Sequence, residues 1–60
     1  MKYLVKNFWG NYFKIDENIE IWLNSLLKDY EKVEIKNVSF YTVKEGENEY
    51  LECCIIVLVE

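Results

Sequence analysis

Sixty residues, 52% of them hydrophobic and 17% aromatic, make one domain (1–60), and one whose own core is too small to hold the fold without added stabilisation. Eleven acidic residues against seven lysines, with no Arg and no His, give a net charge of -4. That balance sets aside DNA and RNA as partners, because such binding rests on neutralising phosphates.

The sources of extra stability open to a chain this small are disulfides, a metal or oligomerisation. The two cysteines, Cys53 and Cys54, are adjacent in sequence and cannot close a long loop. Without His or a second cysteine cluster no tetrahedral metal site can be completed, so no metal and no cofactor are expected. Oligomerisation is left. Met1 to Val5 runs into Lys6, Asn7 and aromatics instead of an apolar signal core, and no segment has the roughly 20 apolar residues needed to cross a bilayer. No membrane partner is expected, and the cytoplasm is the expected compartment.

Lys2 to Phe8 reads as a first strand, with Tyr3 and Val5 on one face and Leu4 and Phe8 on the other. Trp9 to Phe13 forms an aromatic connector in which Gly10 and Asn11 allow the chain to bend. Asp16 is the expected N-cap of a helix, with Glu17 and Glu20 at its positive pole. Ile19, Trp22, Leu23, Leu26, Leu27 and Tyr30 then recur at i, i+3, i+4, i+7, i+8 and i+11, one face of an α-helix. Ile21 falls off that stripe. Lys28 and Lys32 suit the negative pole.

Val33 to Lys44, rich in β-branched and aromatic residues, reads as a second strand whose phase changes midway. A bulge near Lys36 and Asn37 reconciles Val33 and Ile35 with Val38, Phe40 and Thr42. Glu45 to Asn48 is a turn, and Glu49 to Val59 returns as a third strand ending in the unbroken apolar run Cys53 to Val59. A strand alternates its side chains between two faces, so that run requires apolar cover on both sides.

A right-handed crossover makes strands one and two parallel, and the short turn makes two and three antiparallel. The expected fold is therefore α+β: a split β-α-β-β unit, a three-stranded sheet of order 1-3-2, one helix on one face. The other face is left apolar and exposed, beyond what a soluble monomer tolerates. A homodimer or higher even oligomer follows, with the chain itself as partner.

Chemistry is sparse. No His is present to act as a general base, Cys53 and Cys54 lie in an apolar strand, and Ser25 and Ser39 lack a nucleophile elbow. An enzyme is not expected. The connector is the candidate site: Lys6, Phe8, Trp9, Asn11, Tyr12 and Lys14 offer stacking faces, an amide and cations to a planar anionic, nucleotide-like ligand. Tyr41 and Lys44, at the hairpin end beside Tyr50, line the same or a second cleft. The competing reading is that Phe8 and Phe13 close the end of the core, Trp9 packs at a subunit interface, and Tyr41 and Tyr50 pair across strands.

The helix segment Asp16, Glu17, Ile19, Ile21, Trp22, Leu23, followed by Ile35 to Tyr41 and the terminal hydrophobic strand, resembles a small sporulation-associated protein family of spore-forming bacteria. The resemblance brings no catalytic residues and implies a structural or protein-interaction module. The architecture is also similar to phage-encoded sponge proteins, small oligomers that sequester nucleotide-derived immune messengers. It departs from tight phosphate binders in lacking Arg, so lysines or backbone N–H groups must take that role. The connector from Phe8 to Lys14 leads to the expectation of a non-enzymatic homo-oligomer that binds a small nucleotide-like molecule at its subunit junctions, with a structural or protein-interaction module as the alternative.

Overall fold

A computed structural model describes all residues from Met1 to Glu60. The elements run β1 (Lys2–Gly10), α1 (Tyr12–Asp29), β2 (Val33–Glu45) and β3 (Asn48–Val59). The sheet has the order β1-β3-β2, both outer strands antiparallel to β3 and hence parallel to each other, as expected of the split unit. The most apolar strand is thus central, where neighbours on both sides satisfy its backbone.

Directly opposed residues in an antiparallel pair share a face, so the register assigns every side chain. Cys53, Ile55, Val57 and Val59 are buried, facing the same way as Leu4 and Phe8 of β1 and Val33 and Ile35 of β2. Residue Lys36 has no partner: the register shifts between Ile35 and Asn37, so Val38 and Phe40 rejoin the face of Val33 and Ile35. The whole core is seven buried residues, the four of β3 with Phe8, Ile15 and Leu26.

The helix starts earlier than its acidic residues imply. Asn11, not Asp16, is the N-cap: its Oδ1 accepts from the Lys14 backbone N–H at 2.9 Å, and its carbonyl accepts from Ile15 N–H. Asp16 and Glu17 lie one turn in, and the first turn contains no acid. The reason is packing. Ile15, four residues ahead of Ile19, continues the apolar stripe backwards and is fully buried, which draws the preceding turn into the helix. Tyr12 and Phe13, placed in the connector by the sequence, become first-turn residues, and Phe13 is 86% exposed. Phe8 does close the core; Phe13 does not.

The helix leans toward β1. Trp22 meets the Phe8 ring edge-on, with centroids 5.7 Å apart and an interplanar angle of 60°. Lys6 Nζ stands 5.7 Å from both of those rings, and Lys2 Nζ stands 5.6 Å from the Tyr30 ring. On the other side of the sheet's midline the cover thins, leaving Val38, Phe40 and Leu27 of the stripe exposed. Eighteen helical residues span about 27 Å. β3 runs further, and the molecule measures 43 × 17 × 10 Å. Beyond the last β1 pair, Gly10 with Leu51, the β2–β3 hairpin therefore continues as a two-stranded arm. It closes through Gly46 and Glu47, with Gly46 at φ +61°, the positive φ that a two-residue hairpin turn requires at its first position.

Below the helix, Glu60 extends the sheet by one step, its N–H donating to Lys32 O at 3.0 Å and its carbonyl accepting from Lys32 and Glu31 N–H. No helix is long and apolar enough to cross a membrane.

Candidate functional site

Strand β1 ends and α1 begins within two residues, and this joint distributes the aromatic connector. Gly10 has φ +136°, a backbone state L side chains rarely adopt, and it turns the chain out of the sheet plane. On the strand side, side chains alternate with period 2; past Asn11 they advance by 100° each. Consecutive residues of the connector consequently reach different surfaces.

The first surface is an open cleft of about 620 Å³ at the joint, lined by Gly10, Asn11, Tyr12, Thr42, Glu49, Tyr50 and Leu51. The opening residues of α1 lack intrahelical acceptors for their N–H groups, and the helix dipole places partial positive charge there. Lys14 in the same turn adds to it, where an acid is usual. Glu49 on the opposite wall has the contrary sign. Tyr12 offers a ring face; Tyr50 borders the cleft through its place on β3, its side chain belonging to the sheet's other face. Tyr50 O–H donates to Glu45 Oε1 at 3.4 Å, and partial burial together with the Glu45 carboxylate raises its pKa above the ordinary phenol value.

The second surface is a groove of about 360 Å³ between β1 and the flank of α1, lined by Lys6, Phe8, Asn18, Ile21, Trp22 and Ser25. Its cation is already spent on the protein's own rings, Phe8 and Trp22. Ser25 Oγ donates to Trp22 O at 2.7 Å, an ordinary intrahelical bond that offers no nucleophile.

The third surface is the sheet face turned away from α1. Four cross-strand rows cover it: Tyr3–Leu58–Glu34, Val5–Ile56–Asn37, Asn7–Cys54–Ser39 and Trp9–Glu52–Tyr41, with Val43–Tyr50 on the arm. Trp9 is 55% and Tyr41 51% exposed, flanking Glu52 of the central strand. Lys36 Nζ, from the bulge, bonds Glu34 Oε1 at 3.0 Å at the far end.

Of the eight expected site residues, then, Asn11 and Tyr12 line the cleft with Lys14 behind them. Lys6 and Phe8 line the groove, and Trp9 and Tyr41 belong to the open face. Lys44, opposite Glu49, is on the helix side of the arm. One subunit does not bring them together. Sequence reasoning left Gly10, Thr42, Glu49 and Leu51 out of the site; the signal that finds them is the pairing of Gly10 with Leu51, which sets the arm beside the helix start. Cys53 is fully enclosed, and burial, with Cys54 beside it, pushes its thiol pKa up, so it keeps its proton. No family model, curated relative or solved structure matches the chain.

Proposed function

We propose that the protein acts without catalysis, as a cytoplasmic homo-oligomer that holds a small nucleotide-like molecule, sequestering it instead of converting it. The observation that carries the ligand class is the cleft at the start of α1. Tyr12 offers a ring face to a planar group, while free first-turn amides and Lys14 suit an anionic group. Assembly matters because each subunit scatters its aromatic residues, and a symmetry mate can return ring faces to a neighbour's cleft.

Titration calorimetry against a panel of cyclic nucleotides and ADP-ribose derivatives tests the reading. Saturable heat from one member is expected, with affinity falling tenfold or so on Tyr12→Ala, the loss of one stacking face. No heat from any member, with the protein folded, sinks it. A second reading, an interaction module whose sheet receives a different protein chain, is favoured by the exposed open face. A monodisperse homo-oligomer with that face covered counts against it.

A further inference from the structure

The open face is where the molecule's unmet requirements concentrate. The other two candidate surfaces are internally served: the groove by its own Lys6, the cleft by the ligand already proposed for it. On the open face Tyr3, Val5, Trp9 and Tyr41 are each more than half exposed around the half-buried Cys54, Ile56 and Leu58. Glu52 lies among them with no cation on its own face nearer than Lys36, whose bulge adjoins the Ile56 row two rows away.

We infer that this face receives a second copy of the chain, the two β3 strands crossing antiparallel about a two-fold axis at Cys54, with Lys36 of each copy brought to Glu52 of the other. The inference rests on the assembly proposed above and adds its geometry. Area permits a copy: three strands about 4.8 Å apart over the roughly 40 Å of β3 offer on the order of 570 Å², close to the roughly 600 Å² per partner at the small end of specific interfaces. A fold with seven buried residues also needs its cover at every molecule, and only a second copy is present in equal number.

Charge then selects the register. Two faces that look at each other are related by an axis lying between them. If that axis runs along the strands, β3 stacks in parallel on its mate and Glu52 meets Glu52. Centred across the strands at Ile56, it sets Glu52 opposite the mate's Glu60. Both arrangements bury like charges together, which selects against them. Centred at Cys54, it sets Glu52 opposite the mate's Ile56 and Tyr41 opposite the mate's Asn37, beside the bulge that carries Lys36. There the lysine exchanges its exposed bond to Glu34 for a carboxylate flanked by two aromatic rings, a favourable seat for a cation.

The same axis sets Asn7 opposite Asn7 on the exposed edge strands, whereas Tyr3, four residues further out, is about 26 Å along the strand from its mate. Chains carrying Asn7→Cys or Tyr3→Cys, each with Cys54→Ala so that the enclosed Cys53 is the one other thiol, are treated with a bis-maleimide spanning roughly the 10 Å between packed sheets. Covalent dimer from Asn7→Cys and little from Tyr3→Cys is expected. In parallel, Glu52→Lys is expected to weaken the dimer about tenfold or more, and adding Lys36→Glu to restore most of it. A monomeric mass for the unmodified protein overturns the assembly and this geometry together. A dimer that cross-links equally or better at Tyr3→Cys overturns the geometry alone. The cross-linking decides the matter even where a charge variant does not fold.

Discussion

Ile55 and Ile56 are neighbours on β3, yet the register sends Ile55 under the helix and Ile56 to the open face. Truncating each separates what holds the fold from what joins the copies. Ile55 is 1% exposed, and Ile55→Ala removes three carbons from a close-packed site, a loss of about 2–5 kcal/mol. A domain of 60 residues has a total stability of roughly 3–9 kcal/mol at the usual value per residue, so a large share of it disappears. Ile56→Asp leaves that core intact and puts a carboxylate where a second sheet is expected. For a folded dimer in equilibrium with unfolded chains, each hundredfold dilution lowers apparent stability by about 2.7 kcal/mol.

The assay is urea unfolding followed by helical circular dichroism at two protein concentrations a hundredfold apart. The unmodified chain should unfold at higher urea when concentrated. Ile55→Ala should shift the transition far down at both concentrations. Ile56→Asp should lose the concentration dependence while keeping whatever stability the seven-residue core gives by itself. If the unmodified chain unfolds at the same urea at both concentrations, or if Ile56→Asp keeps the dependence, the open face does not join copies and the reasoning fails.

Asn11→Ala should cost about 1 kcal/mol by removing the cap, and Asp16→Ala little, as urea midpoints will show; the opposite ranking would move the helix start back to Asp16. Gly46→Ala, forced to φ +61°, should lower stability by about 1–2 kcal/mol in the same assay, and a neutral result would mean the turn takes another form. Cys53 has a folded pKa raised above its unfolded value, so both states hold the neutral thiol below the ordinary cysteine range. As pH rises through that range the unfolded chain ionises first and stability falls, a loss that Cys53→Ala should remove from the pH dependence of the urea midpoint.

Most of the fold was legible because its determinants are local patterns with one global solution. The continuous apolar run of β3 demands neighbours on both sides, and the order 1-3-2 alone centres it. The phase change in Val33 to Thr42 is visible as a broken alternation, and the structure places the bulge where the phase breaks, at Lys36. What sequence missed was the helix start. Asp16 and Glu17 carry the residue types that caps and first turns prefer, whereas Asn11 stands before two aromatic residues that look unlike a helix opening. The decisive residue is Ile15, an apolar position one i, i+4 step ahead of Ile19 and buried because the sheet lies beneath it. Propensity pointed to Asp16 and tertiary burial overruled it.

That one-turn error has a consequence for function. While Tyr12 and Phe13 are imagined in a loop, four aromatics in six residues look like one site. With Asn11 as cap they straddle the change from a period of 2 to one of 3.6, and the same six residues feed a groove, a cleft, an open sheet face and bulk solvent. Density of aromatic residues along a chain therefore measures a site only when the backbone keeps one period across it. Here the property that survives the joint is subtler: Gly10 ends β1 opposite Leu51, so the start of the helix and the base of the arm face each other wherever the chain is folded. Any ligand of the cleft is held between an element anchored in the core and an arm that projects beyond the helix, and binding will be read out first in the exchange protection of Thr42 to Leu51.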